Sequence, residues 1–265
     1  MVYDEFKKID FNVLYIGTKR ALFILEKLYE ELIFNLSKTE GSEMTLEQTI
    51  ETLSGIVPKN VKSKDVRLVM NLKDGFDYII YLVENNKMFL DKNIFCNINR
   101  IVAANDNFDN LGDFRKNNIR ILGSKNKGSN PENFSVDFVN IIDEYFKNKN
   151  LKVISEINLF LNLIKAQFFG NGNKRSAQLL INGLLLKDGF APFTINFKEE
   201  NLIAKLLKFY DNEKYRIDLL ITLLKKQIQN TKDFSNNKEI INIEKIELDL
   251  SNLEKKLNKN IDIEL

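Results

Sequence analysis

Between Gln167 and Gln178 the chain reads Gln-Phe-Phe-Gly-Asn-Gly-Asn-Lys-Arg-Ser-Ala-Gln, a glycine and asparagine loop running into two consecutive cations and an apolar helix. Residues of these types in this order suit the holding of phosphate. Gly170 and Gly172 let the backbone approach a ligand closely, and the amides that open a following helix lack intrahelical acceptors and carry the positive end of its dipole. Lys174 and Arg175 add cations at a helix start, where the dipole disfavours them unless an anion is bound. A guanidinium can also grip two phosphate oxygens at once. The alternative is a structural turn, for which Gly and Asn are ordinary residues, with Asn173 capping the outgoing helix. Such a turn has no need of Lys174 and Arg175. A proton acceptor is missing: the chain has no histidine, and Gln167 at the head of the loop carries an amide that does not titrate near neutral pH.

The elements that must hold this loop read as helices. Apolar residues at three- and four-residue spacing run from Leu25 to Leu36, from Val66 to Val83 and from Ile94 to Val102. Thr45 followed by Gln48 has capping-box spacing and opens a short helix to about Leu53, closed by Gly55 and Pro58. The pattern breaks from Gly112 to Pro131, where the alternating Ile119-Arg120-Ile121 predicts a small β-hairpin flap at the surface. It resumes over Val136 to Phe146, Ile154 to Phe168, Ala177 to Leu186, 199–210 and Tyr215 to Gln229. After a polar linker around Lys232 to Lys238, Ile243, Ile246, Leu250, Leu253 and Leu257 form a two-heptad amphipathic seam. That tail either packs on its own chain or forms a subunit interface. The expected division is residues 1–60 as N-terminal helices, 61–230 as the core domain and 231–265 as linker and helical tail. Phe168 and Phe169 read as core anchors beneath the loop, and Tyr3, Tyr15 and Tyr29 as partly buried core residues rather than modification targets. Arg115 and Arg120 are expected to be solvated, with ligand contact across the flap as the alternative.

Composition narrows the chemistry. Thirty-nine Lys and Arg against 37 Asp and Glu leave a formal +2, which is no bulk field for nucleic acid. One cysteine, Cys96, and no histidine exclude an internal disulfide and thiolate or imidazole metal centres, leaving oxygen ligands for a hard cation. No run approaches the ~20 apolar residues of a membrane span and no leader is evident, so a soluble, cytoplasmic protein is expected.

The residues Gln167, Phe169, Asn171, Gly172, Asn173, Lys174 and Arg175 fall in register with a known signature, His-x-Phe-x-(Asp/Glu/Asn)-Gly-Asn-(Gly/Lys)-Arg. The chain thus resembles the Fic/Doc (Fido) family, with Gln167 at the histidine position and Gln178 where a second arginine is common. Gly112-x-Phe114-Arg115 with Ile119, Arg120 and Ile121 resembles the family's target-aligning flap, and the likeness spans about residues 10–230. The resemblance implies a mostly α, Fic-like bundle with a small β-hairpin flap and, here, a C-terminal amphipathic helix. It implies transfer of AMP (AMPylation) or phosphate from ATP or another nucleotide, with Mg, to a Ser, Thr or Tyr hydroxyl of a protein target.

Carried over position by position, Gly170 to Arg175 and Gln178 hold the nucleotide, and the Gly172 and Asn173 amides form the anion hole. Arg175 clamps phosphate, Asn171 stands at the metal position and Gln167 at the base. Lys174 and the missing second arginine resemble the Doc branch, which is kinase-like, so the loop leaves the transferred group open. Ser37, Glu40 and Gly41 resemble the family's inhibitory (Ser/Thr)-x-x-x-Glu-(Gly/Asn) helix with the serine one place late; a plain helix C-cap at Gly41 is the alternative. Three functions remain open: a slow transferase, a nucleotide-responsive pseudoenzyme, and a scaffold acting through its tail.

Overall fold

The computed structural model describes residues 3, 4, 6–104, 106, 111–195 and 200–263, with side chains undescribed at 200, 201 and 257–263. Ten α-helices make up the described part: α1 Thr18–Thr39, α2 Leu46–Leu53, α3 Ser63–Glu84, α4 Lys92–Val102, α5 Phe134–Asn148, α6 Val153–Ala166, α7 Asn173–Lys187, α8 Glu200–Asp211, α9 Arg216–Lys232 and α10 Asn237–Ile263. The expected first residue of α8, at 199, lies outside the described residues. Helices α6 and α7 are buried almost all round, as their near-continuous apolar sequences require. They pack against each other, with α3, α4 and α1 on α7 and α5 and α9 on α6. The loop between the two central helices is therefore anchored at both ends in the core.

Each boundary has a local cause. Thr45 and Gln48 form the reciprocal capping box that opens α2. Helix α1 ends at Gly41, φ +82°, whose amide donates to the Lys38 carbonyl while Ser42 donates to Ser37. This pair of bonds is the left-handed glycine stop that satisfies a helix's last carbonyls.

The flap differs from the hairpin expected for Ile119, Arg120 and Ile121: among the described residues the segment contains no strand. Its backbone groups bond elsewhere. Arg115 N donates to the Phe168 carbonyl (2.8 Å), Ser129 N to Ala166 (2.9 Å), and Lys125 N to the Asp211 carboxylate (2.7 Å). Bonded on both sides in this way, the segment is an open loop fastened to the ends of α6 and α8 and to the signature loop.

The tail helix α10 starts at Asn237, earlier than its apolar seam, and lies on α9 and the turn Phe11–Leu14. Ile243, Ile246, Leu250 and Leu253 are buried; the Leu257 side chain is outside the described residues. Ion pairs Lys232–Glu247 (2.8 Å), Lys225–Glu254 (2.6 Å) and Arg20–Glu239 (2.7 Å) flank the seam. Among the described residues, no helix is long and apolar enough to cross a membrane.

Candidate functional site

The loop is shaped from beneath by aromatic packing. Phe168 and Phe169 are fully buried, Phe114 stacks on Phe168 (4.6 Å between centroids), and Phe95 meets Phe169 edge-on (4.7 Å). Asn173 does not cap α7, as one reading of the sequence supposed. Its side chain reaches back to clasp both backbone groups of Phe169, accepting from N and donating to O at 2.8 Å each, while Gly172 is the residue that precedes the helix. Gly172 has φ +74°, and a Cβ there would meet Asn99 Nδ2 at 2.9 Å and Ala103 Cβ at 3.2 Å. Glycine is thus required on both counts. Asn99 in turn donates to the Asn171 carbonyl (2.9 Å) and to Ser176 Oγ (3.0 Å), tying α4 to the loop.

A cleft of about 800 Å³ opens on this loop. Gln167, Gly170, Asn171, Gly172, Asn173 and Lys174 line its floor, with Thr39 and Glu40 from the end of α1 on one side and Ile119, Arg120, Ile121 and Leu122 on another. The remaining wall is apolar, from Ile195, Leu206, Leu207 and Tyr210. A charged floor with an apolar wall can seat a phosphorylated ligand that has a flat hydrophobic end.

Arg175 is 2% exposed and already engaged. Nη1 donates to the Val102 carbonyl (2.6 Å), Nη2 to Asp106 (2.8 Å), and Nε lies 3.1 Å from Glu40. Glu40 also pairs with Lys174 (3.1 Å), whose ammonium donates to the Thr39 carbonyl (3.0 Å). Burial opposes ionisation of Glu40, yet Lys174 and Arg175 beside it hold its carboxyl below the ordinary range. Glu40 at the negative end of α1 and the two cations at the positive start of α7 are each disfavoured by their own helix dipole, and each offsets the other.

The other expected site residues separate. Ser37 is fully buried and donates to the Phe34 carbonyl within its own helix, away from the cleft. Gln178 is also fully buried, donating to the Phe193 carbonyl (3.4 Å), and does not line the cleft. The Gly172 amide donates to Asn171 Oδ1 (2.7 Å), so of the expected anion hole the Asn173 amide is the one left by helix geometry to face a ligand. Gln167 adopts the left-handed conformation that ends α6 and donates through Nε2 to the Ile164 carbonyl (2.6 Å).

Two residues with roles here had not been singled out correctly. Arg115, expected to be solvated, is 6% exposed and spans the Gln167, Asn117 and Ser129 carbonyls, because the open flap leaves those acceptors for it. Asp106, in the turn after α4, accepts from both Asn171 Nδ2 and Arg175 Nη2 at 2.8 Å. A lone aspartate in a polar stretch gives no sequence signal.

No family model matches the chain. A protein adenylyltransferase Fic of Aedes aegypti is 24% identical over 202 residues, 73% of this chain and 38% of the relative. Another of that name from Nematostella vectensis is 23% identical over 190 residues, 69% of this chain and 43% of the relative. The chain therefore spans well under half the length of these curated relatives. Among solved structures, a Fic-domain-containing signaling protein from Bacteroides thetaiotaomicron superposes with TM-score 0.66 at 18% identity, covering 92% of this chain and 96% of the other. Fic-1 from C. elegans gives TM-score 0.67 at 17% identity, covering 88% and 69%. With its signature loop seated between the two central helices, the chain has the fold of these Fic-domain structures and is similar in sequence to the Fic adenylyltransferases, carrying Gln167 where the signature has histidine.

Proposed function

We propose that the protein transfers AMP, or alternatively phosphate, from a nucleotide such as ATP to the hydroxyl of a protein target, slowly. The observation that carries this is the convergence of the signature loop, the flap and the apolar wall on one cleft. In AMP transfer the target oxygen forms a bond to the α-phosphorus, the bond to the bridging oxygen breaks, and pyrophosphate leaves. Arg175, Lys174 and the opening amides of α7 hold the phosphates, while Ile119 to Leu122 align the target. The hydroxyl proton passes to water, because the Gln167 amide can orient a hydroxyl but cannot accept its proton. Lack of a general base costs about 10²–10⁴ in rate; the positioning on which phosphoryl-type transfer chiefly depends is retained. Mg would supply charge neutralisation at the phosphates, and Asn171 at the metal position offers it only a neutral amide oxygen.

A second reading, a nucleotide-responsive module without turnover, is favoured by Gln167 Nε2 being tied back to Ile164. In either case Glu40 competes with phosphate for Arg175 and Lys174. We place the protein in the cytosol, where the buried thiol of Cys96, pushed up to about 11 by burial, would stay reduced. For self-association, the apolar side chains that α10 leaves exposed are Ile241 and Leu248. Calorimetry with ATP and other nucleotides tests the site: binding that Arg175→Ala abolishes supports it, and failure to bind any nucleotide refutes it. Label transferred to protein from α-labelled, but not γ-labelled, ATP would identify AMP as the group moved, and the reverse pattern would identify phosphate.

A further inference from the structure

A nucleoside triphosphate reaches such a cleft with a divalent cation, and a hard cation of this size takes oxygen ligands, commonly one or two carboxylates plus phosphate oxygens and water. The loop from Gly170 to Arg175 contributes no carboxylate. Two carboxylates stand against it. Glu40 lies between the Lys174 ammonium and the Arg175 guanidinium, both at 3.1 Å, and is spent on them. Asp106 faces Arg175 on one side and the neutral amide of Asn171 on the other, 2.8 Å from each.

We infer that Asp106 is the carboxylate that holds the nucleotide's divalent cation, supplied from the turn after α4 to a signature loop whose own residue at that place, Asn171, is uncharged. This rests on the nucleotide-binding reading of the cleft. Four observations carry it. Asp106 is one hydrogen bond from Asn171, which lines the cleft floor, so a carboxylate stands beside that residue's side chain. Both of its contacts with the site fall on Oδ2, and a carboxylate offers about four acceptor positions over its two oxygens. Its side chain is 24% exposed, open to a cation arriving from solvent. Its backbone is tied to the end of α4: Asp106 N donates to the Ala103 carbonyl (2.9 Å), and Asn99 on the same α4 holds the Asn171 carbonyl. Among the described residues there is no group of three or more Asp, Glu, Cys or His that could hold a metal by protein ligands alone. A cation here must share its shell with phosphate and water, which suits magnesium better than calcium or zinc.

The competing role for Asp106 is simply to neutralise the buried Arg175. The two roles separate by experiment on the whole chain. ATP binding is measured by calorimetry with Mg²⁺ and with EDTA, and Mn²⁺ binding by electron paramagnetic resonance, for the parent, Asp106→Asn, and Asp106→Asn combined with Asn171→Asp. Asp106→Asn should weaken Mn²⁺ binding and abolish the gain in ATP affinity from Mg²⁺, a loss of about 10- to 100-fold, the size seen when even supporting partners of a metal are removed. Its metal-free ATP affinity should match or exceed that of the parent, because Arg175 is released. The double variant should regain the metal dependence by moving the charge one residue's contact across. Unchanged Mn²⁺ and Mg²⁺ dependence in Asp106→Asn overturns the inference. So does loss of metal-free ATP binding that the double variant fails to restore, since Asp106 then only supports Arg175. Should the parent bind no nucleotide, the functional reading falls, and the Mn²⁺ arm still decides: binding lost in Asp106→Asn supports the assignment, whereas equal or no binding in both refutes it.

Discussion

At the residue scale, the rate of the proposed transfer turns on Gln167. Its φ of +54° is a conformation that histidine adopts more readily than most side chains, so Gln167→His can be introduced with the helix end intact. Transfer of label from ATP to protein should rise by about 10²–10⁴ in that variant; unchanged turnover would mean that the hydroxyl proton was never limiting. The residues at the loop were legible because glycine, asparagine and paired cations are each required by a physical constraint at a short spacing. Glu40 was legible as a carboxylate near a helix end, but its partners were not. Nothing in its spacing marks them, and the fold brings Glu40 to Lys174 and Arg175, some 135 residues away, while it buries Gln178 against Phe193. Asp106 and Arg115 escaped for the same reason: a single charged side chain has no periodicity, and its partner is set only by tertiary packing.

Helices form the next level, and there the meeting of α1 and α7 is testable. Glu40→Gly frees Lys174 and one face of Arg175 while keeping the Gly41 stop of α1. Nucleotide affinity should rise by about 5- to 150-fold, the usual span of coupling between competing states, as read by calorimetry; equal affinity would show that phosphate does not displace Glu40. A second test concerns α6. Burial first, and then the Asp188 carboxylate, push the Glu156 carboxyl well above the ordinary range. Among the described residues, Glu156 Oε2 and the nearby buried Tyr145 hydroxyl also lack hydrogen-bond partners. The folded state therefore keeps a proton that the unfolded chain releases near the ordinary carboxyl value. That contribution to stability is full below that value and is lost as pH rises toward the raised folded one. Glu156→Gln should melt higher than the parent at pH 8 and about equally at pH 4, each kcal/mol moving Tm by about 2–4 °C at this size. A parent more stable than the variant at pH 8 would contradict this account. Periodicity made these helices legible almost end to end, because buried faces impose it directly. The flap was misjudged since alternation over Ile119 to Ile121 records which side chains face inward, whereas strand pairing depends on where backbone groups find partners.

For the whole molecule, α10 closes the structure by returning to α9 and the N-terminal turn. Deleting the chain after Asn236 would strip cover from the face that Ile243, Ile246 and Leu250 occupy, each burial of this kind being worth about 1.5–3 kcal/mol. A large fall in melting temperature is expected. If melting were unchanged while a larger assembly fell apart, the helix would be an interface instead. The sequence left both options standing, because a two-heptad seam states that one face is covered without stating by what. Arg115 has a different consequence. Its guanidinium grips the Gln167 carbonyl, and the backbone on either side of the flap is bonded to Phe168 and Ala166, so the flap and the end of α6 are mechanically one piece. On the proposed function, a target chain that pulls on the flap as it docks would load the backbone of residue 167 as well. Recognition and reactivity would on that reading be coupled through one guanidinium.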